Sequence, residues 1–314
     1  MRTMNALVVG LPLMAFGFGN NVKVNFHVCD EEGHAITNAV IRTVTQRDRL
    51  APWHGGGTMR EVLVSTDVDG RAVARFPCYS GEFDSSARAP GYYDEVSGGN
   101  EFKCSPDSMF YANLLEHEKK ITFVLRSIVN PVPCFGYGAG DWVKFPSTTG
   151  RFGFDMKVGE WVAPYGKGET ADFWVRREET NGVYRAILEF EGPFNGVYKQ
   201  AQEHSTSFKS VYDADASHVF VQTMDIWTRD RSGKVPVRTQ HVSDSEYLVI
   251  RSRSVVDADG HLTKCNYSKI YGAISASESL RFKTMVFNPE KNDTNLEFDR
   301  SRNLRKSSKG TLLP

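Results

Sequence analysis

The chain has 314 residues, 40% hydrophobic and 24% charged, the balance of a globular protein long enough for one large or two ordinary domains; collagen-like, disordered and polytopic membrane architectures are excluded. Its 38 Lys and Arg equal its 38 Asp and Glu, so no global basic field exists to attract nucleic acid or anionic lipid. With 20 Phe, 12 Tyr, 5 Trp and 27 Gly, the composition favours short strands joined by turns.

Arg2 precedes an apolar run from Ala6 to Phe16, the size of a signal h-region and short of the roughly 20 residues that span a bilayer. Small residues at Ala15 and Gly17, and again at Gly17 and Gly19, suit a signal peptidase. Residues 1–19 are therefore predicted to be a signal peptide, with the mature chain starting near Phe18 or Asn20. No Cys stands at the cleavage site and no later run reaches membrane-spanning length, so export without a lipid or transmembrane anchor is expected. The five cysteines, Cys29, Cys78, Cys104, Cys134 and Cys265, are widely spaced with no CxxC pair, which argues against a zinc ribbon or a thiol redox motif and leaves their pairing open.

From Val22, apolar Val22, Val24, Phe26 and Val28 alternate with Lys23, Asn25 and His27, the two-residue period of a strand with one face on a core. The turn Asp30-Glu31-Glu32-Gly33 ends it, and strand character resumes over Ala39–Thr45. A Gly-rich loop from Trp53 to Gly57 leads to Val62–Val64. The turn Thr66-Asp67-Val68-Asp69-Gly70 then separates that segment from Ala72–Phe76, a pattern that reads as a tight hairpin. Strands over Phe83–Ala89 and Ile121–Leu125 close this half, with a turn at Pro90-Gly91-Tyr92 between them. The residues Gly33, Asn38, Ala39, Thr66, Asp67, Asp69, Gly70, Gly91 and Tyr92 make residues 21–127 similar to the carboxypeptidase regulatory-like, or transthyretin-like, β-sandwich. That resemblance implies a small seven-stranded sandwich serving as an accessory or surface module. Ser97–Lys120 departs from the compact pattern as a longer insertion, with one short helix predicted over Met109–Glu116 and capped by Asp107 or Ser108.

Pro131-Val132-Pro133 breaks hydrogen-bonded structure, and the Gly- and aromatic-rich stretch Phe135–Phe154 reads as the connection between domains, with the boundary near Asn130. Strand-length runs follow at Asp172–Arg176, Tyr184–Phe190, Val219–Val221, Tyr247–Arg251 and Leu280–Lys283, without solenoid or propeller periodicity. Segments including Gly153–Asp155, Trp161–Gly168, Lys269–Gly272 and Asn288–Asp299 make residues 128–304 resemble a C-terminal domain of uncharacterised exported bacterial proteins; this implies export and β structure and transfers no catalytic residue. The expected fold class is all-β, with two β-sandwich domains: residues 20–130 transthyretin-like, and residues 131–304 larger and jelly-roll-like. A basic tail, residues 305–314, continues a run of cations that begins at Arg300 and is expected to be solvated and frayed.

Three acidic turns, at Asp67-Val68-Asp69-Gly70, Asp213-Ala214-Asp215 and Asp257-Ala258-Asp259-Gly260, open like calcium loops, but an EF-hand register would place Cys78 or Ser268 where a glutamate is needed. No metal and no cofactor is expected. Glu189 and Glu191 lie on one side of a strand and could form the carboxylate pair of a glycoside hydrolase, but spacing alone is weak evidence and a solvated polar face explains them without chemistry. There is no G-x-S-x-G elbow, H-E-x-x-H spacing, Walker loop or dinucleotide fingerprint. Trp142, Trp161, Tyr165 and Trp174 could form an aromatic platform for sugar rings, with Asp141, Glu160 or Lys167 bonding hydroxyls; the competing reading puts these rings in a sandwich core. The function expected is an exported non-catalytic binding or envelope-assembly protein whose partner is a glycan or another surface protein and not a nucleic acid. The alternative is a carbohydrate-active hydrolase with its acid and base in the C-terminal domain.

Overall fold

The computed structural model describes residues 20–47, 58–78, 82–101, 116–202, 206–306 and 312–314. The chain divides into two compact units, Met1–Leu125 and Arg126–Pro314. Both are built of strands, and no α-helix occurs among the described residues. The predicted signal peptide lies outside the described residues, as does the predicted short helix except for its last residue, Glu116.

The first unit is a sandwich of seven strands: β1 (Asn20–Asp30), β2 (Val40–Arg47), β3 (Thr58–Ser65), β4 (Arg71–Cys78), β5 (Glu82–Arg88), β6 (Glu95–Glu101) and β7 (Glu116–Leu125). One sheet has the order β4-β1-β7 and the other β3-β2-β5-β6. The alternation read in β1 is realised: Val22, Val24, Phe26 and Val28 are buried in one cluster with Ile41, Phe83 and Ala87 of the other sheet. Each such side chain contributes roughly 1.5–3 kcal/mol by leaving water. Two hydroxyls buried in the second sheet satisfy each other, Thr43 Oγ1 lying 3.0 Å from Ser85 Oγ.

Two expectations for this unit are corrected. Thr66–Gly70 is not a hairpin, because β3 pairs with β2 and β4 pairs with β1, so the turn is an arch carrying the chain from one sheet to the other. Each foot of the arch is tied to its own sheet. Thr66 Oγ1 accepts the Ala39 N–H (2.9 Å) and donates to the Ile36 carbonyl (2.6 Å), while the Gly70 carbonyl accepts the Val28 N–H (2.8 Å). The insertion predicted from Ser97 is shorter than expected, since β6 runs to Glu101 on β5 and β7 already begins at Glu116. Val96 is the one large apolar residue of β6, so no alternation advertised this edge strand.

The second unit contains β8 (Phe135–Gly138), β9 (Val143–Lys144), β10 (Gly150–Asp155), β11 (Glu160–Trp161), β12 (Phe173–Thr180), β13 (Val183–Glu189), β14 (Gly196–Ala201), β15 (Thr223–Asp230), β16 (Val237–Gln240), β17 (Glu246–Val256), β18 (Leu262–Tyr271), β19 (Ser275–Ala276), β20 (Ser279–Arg281) and β21 (Thr284–Phe287). A six-stranded sheet, β11-β10-β12-β13-β15-β16, and a five-stranded sheet, β14-β17-β18-β21-β8, are antiparallel throughout and share one core. Phe154, Phe173, Val175, Leu188 and Ile226 come from the first sheet, and Val197, Leu248, Ile250, Ile270, Met285 and Phe287 from the second. A small third sheet, β19-β20-β9, adds to them.

The five-stranded sheet is buried on both faces. Its second face carries Tyr198, Tyr247 and Tyr271, whose hydroxyls accept the N–H groups of Asp215 (3.2 Å), Val211 (3.1 Å) and Ser210 (3.1 Å). A strandless segment is thereby fixed over the sheet with its backbone donors satisfied. Cys265 lies in the same layer; it is a buried free thiol, as are Cys29 and Cys134, and burial pushes the Cys134 thiol up to about 12.

Three further expectations change here. Phe135–Phe154 is not a connection between domains, because it holds β8, β9 and most of β10, and Val132 bridges to Phe298. The strand expected at Val219–Val221 is instead β15, while Val221 makes only an isolated bridge with Val197. A register shift opposite Ala186 and Ile187 puts the adjacent Ile226 and Trp227 both inside, which hides the two-residue period. The basic segment from Arg300 to Lys306 is not frayed: Asn303 exchanges bonds with the Gly136 backbone, the Leu304 N–H reaches the Cys134 carbonyl (3.0 Å), and Arg302 reaches the Pro131 carbonyl (2.6 Å).

The arch yields a paired test. Gly70 has φ +71°, and an added Cβ would lie 2.4 Å from the Val28 carbonyl oxygen; Gly33 has φ +86° and open space around it. Gly33→Ala is expected to cost about 1 kcal/mol from the left-handed backbone alone, and Gly70→Ala roughly 3 kcal/mol once overpacking adds to it, both read by urea unfolding.

Candidate functional site

A cleft of about 320 Å³ opens on the second unit, lined by residues 140–144, Gly159, Glu160, Trp161, Tyr165, Gly166 and Arg305. Five of the seven residues singled out in the sequence line it: Asp141, Trp142, Glu160, Trp161 and Tyr165. Two do not. Lys167 contributes its main-chain N–H, which donates to Glu160 Oε2 (3.2 Å). Trp174 stands on the outer face of the six-stranded sheet, with the Arg151 guanidinium 4.3 Å from its ring.

The lining residues have different surroundings. Trp161 is the floor, 2% exposed, packed against Phe145 (5.0 Å), Phe154 (5.2 Å) and Phe152 (5.8 Å), with Nε1 donating to the Lys144 carbonyl (2.7 Å). Trp142 and Tyr165 are 51% and 55% exposed. Tyr165 meets Phe152 edge-on at 5.3 Å, and Arg281 lies 5.3 Å from the Trp142 ring. Asp141 is locked, with Oδ2 accepting the Gly138 N–H (3.0 Å) and lying 2.8 Å from Arg305 Nη1, while the Arg305 guanidinium covers the Tyr137 ring at 4.3 Å. Burial pushes the Tyr137 hydroxyl up, and it donates to the Lys157 carbonyl (2.6 Å). Sequence reading missed Lys144 and Arg305. Nothing local marks Arg305, whose partner Asp141 lies far away in the chain.

The loops that carry Glu160, Tyr165 and Gly166 hang from one buried carboxylate. Asp155 Oδ1 accepts the N–H of Lys157 (3.0 Å) and Val158 (3.2 Å), and Oδ2 accepts those of Glu169 (3.0 Å) and Thr170 (3.1 Å). Arg253 then bridges it to Asp172, with Nη2 2.9 Å from Asp155 Oδ1 and Nε 2.8 Å from Asp172 Oδ1. Ser252 Oγ and the Met156 N–H also bond Asp172 (2.7 Å each). Arg253 has φ +53° at an irregularity of β17, a strained backbone held by these bonds. The close fit continues at Gly166, where a Cβ would lie 2.3 Å from the Trp161 carbonyl oxygen.

Glu189 and Glu191, the carboxylate pair read from the sequence, are both bound by arginine. Arg151 binds Glu189 through Nε and Glu191 through Nη1 (2.7 Å each), and Arg176 Nε lies 2.5 Å from Glu189 Oε1. Burial pushes the Glu189 carboxyl up, but bonds from Arg176 and Arg151 outweigh it and hold it below the usual carboxylate range, the wrong direction for a proton donor. The acidic turns are Asx turns. Asp30, Asp67 and Asp257 each use Oδ1 to accept the N–H groups two and four residues on, at 2.7–3.1 Å. Asp30, Glu32 and His34, and likewise Asp257, Asp259 and His261, bring ligand atoms within 4.8 Å of one another. In both places the clustering comes with the same turn geometry.

No protein-family model matches the chain, and no curated protein matches it. Among solved structures, 3-chlorocatechol 1,2-dioxygenase of Rhodococcus opacus is 14% identical with a TM-score of 0.26, covering 38% of this chain and 64% of that one. A "putative carbohydrate binding protein" of Bacteroides uniformis is 7% identical with a TM-score of 0.22, covering 85% and 99%. A "putative membrane-associated protein of unknown function" of Bacteroides fragilis is 11% identical with a TM-score of 0.22, covering 87% and 99%. This chain spans less than two thirds of the dioxygenase's length, and TM-scores this low carry no argument about function. What fold and site define is an all-β protein of two sandwich units, the second bearing a small aromatic-rimmed cleft. No helix among the described residues is long and apolar enough to cross a membrane.

Replacing Arg253 by Met leaves Asp155 and Asp172 buried without their cation and is expected to cost roughly 3–5 kcal/mol in urea unfolding. Burial raises the Asp155 carboxyl, but the Glu169 and Thr170 amides and Arg253 more than offset it and hold it below its ordinary value of 3.8. A depressed folded-state pKa contributes stability above the unfolded value that is lost as pH falls through the folded one. Asp155→Asn is therefore expected to flatten the decline of stability below about pH 4, measured as urea midpoint against pH.

Proposed function

We propose that the chain is an exported, non-catalytic binding protein whose second unit takes a glycan in the cleft between Trp142 and Tyr165, with the first unit an accessory sandwich of transthyretin-like kind. The observation that carries this is the pairing of two half-exposed aromatic rings with a packed, hydrogen-bonded floor. Trp161 is packed and hydrogen-bonded, and the surrounding loops are tied to Asp155. Sugar rings present apolar C–H faces and equatorial hydroxyls, which suit exposed aromatic faces beside Lys144, Glu160 and the edge of Asp141. At about 320 Å³ the cleft lies at the low end of small-ligand pockets, roughly 300–1,000 Å³, so a short glycan or a chain end fits better than a long internal stretch. The bonding state of Glu189 disfavours the hydrolase alternative for the one carboxylate pair the sequence offered. Export rests on the charge, apolar run and small-residue order of residues 1–19, and the accessory reading on the three- and four-stranded sheets of the first unit.

The test is an oligosaccharide array followed by titration of any binder, monitored by tryptophan fluorescence. Trp142→Ala and Tyr165→Ala are each expected to weaken binding roughly five- to ten-fold, the worth of one stacking contact, while Trp174→Ala leaves it unchanged. A blank array, release of reducing ends, or loss of binding on changing Trp174 alone would overturn the reading.

A further inference from the structure

Lys269, on β18, has no exposed surface, and it projects from the tyrosine-bearing face of the five-stranded sheet together with Cys265, Tyr267 and Tyr271. Its three ammonium protons have three acceptors: Ser210 Oγ (3.1 Å), the Tyr271 hydroxyl (3.1 Å) and the main-chain oxygen of Pro314 (2.8 Å). The first two belong to the layers of the sandwich. The third arrives on Leu312-Leu313-Pro314, a piece with its own seats, in which Leu312 packs with Cys134, Val286 and Phe298, and Leu313 packs on the tyrosine layer. The Leu313 N–H donates to Thr284 Oγ1 (3.1 Å), Pro314 is buried, and its oxygen also accepts from the Tyr271 hydroxyl (3.1 Å). Side-chain seats flanking a bonded main-chain oxygen are how a pocket recognises an extended peptide.

We propose that the pocket floored by Lys269 is a segment-binding site for a Leu-Leu-Pro stretch, that residues 312–314 are its occupant, and that they act as a removable cover over the Lys269 amine. The occupant is held by two apolar side chains and by hydrogen bonds to its backbone, with no covalent tie to the pocket, so the same sequence supplied separately fills the vacated site. Once uncovered, the amine is open to an added acylating reagent: its nitrogen attacks a carbonyl of acetic anhydride, an amide bond forms, acetate leaves and the proton lost from nitrogen goes to solvent. With the cover in place, burial lowers its hold on a proton well below that of an ordinary lysine.

The test is brief treatment with acetic anhydride and peptide mass spectrometry of every lysine, in the whole chain, in a variant lacking residues 312–314, and in the whole chain carrying Leu313→Asp. Exposed Lys234 and Lys264 should react equally in all three, while Lys269 is protected in the unaltered chain and becomes labelled about ten-fold more in both variants, the signature of a local opening and not of unfolding. The peptide Lys-Gly-Thr-Leu-Leu-Pro, added at millimolar concentration to the shortened variant, should restore protection by mass action, and the same peptide with Asp for its second Leu should not. Leu313→Asp carries the test if the shortened chain does not fold. Continued protection of Lys269 in both variants overturns the proposal, as does equal protection by the two peptides or by neither.

Discussion

Arg253 stands between two carboxylates that could not both be buried without it. Asp155 is 2% and Asp172 3% exposed, and in an interior of low polarity each would lose several kcal/mol of hydration unless paired and fully bonded. The guanidinium fork meets both, four backbone N–H groups complete Asp155, and a hydroxyl and an amide help to complete Asp172. From this follow the course of the loop from Asp155 to Asp172, the placement of Glu160 and Tyr165 on its rim, and the strained φ of Arg253 itself. The wall of the cleft is thus organised by a buried polar hub, and apolar packing supplies only its floor at Trp161.

The two units use the same sandwich principle with different depth. In the first, one shared core fills the space between two sheets, and the outward positions of β1, Lys23 and Asn25, are solvated and bonded to Glu118. In the second, the five-stranded sheet is a middle layer, covered on one side by the six-stranded sheet and on the other by segments without regular structure. Covering a sheet with irregular chain leaves backbone donors to satisfy, and the tyrosine hydroxyls of β14, β17 and β18 accept them. Those tyrosines, Lys269 and Cys265 all stand on that covered face.

Charge is organised although its sum is zero. On the outer face of the six-stranded sheet, Arg151, Arg176 and Arg185 interleave with Glu189, Glu178 and Asp225 in a continuous ladder. Such a ladder gives modest stability, since each exposed pair is worth about 0–1 kcal/mol, and within it the bonds from Arg176 and Arg151 hold the Glu189 carboxyl below the usual carboxylate range. A pair of glutamates that looks catalytic by spacing becomes, in this setting, part of the solvated back of the sheet.

All-β architecture was legible from residue order alone, because a two-residue period such as that from Val22 to Val28 needs no partner to be seen, and Gly33, Gly70 and Gly260 mark turns through a backbone requirement local to each. Five residues lining the cleft stood out in the sequence as Trp, Tyr and acidic residues set among Gly, a pattern that fits a sandwich core as well as a ligand platform, and Trp161 does lie in the core. Which ring is floor and which is rim was decided by the fold, through packing against Phe145, Phe152 and Phe154. The same holds for the arch at Gly70, for β15, whose bulge erased its period, for Arg305 beside Asp141, and for the burial of Lys269. Each of these depends on contacts between residues distant in the chain, and sequence periodicity reports only what a segment does relative to itself.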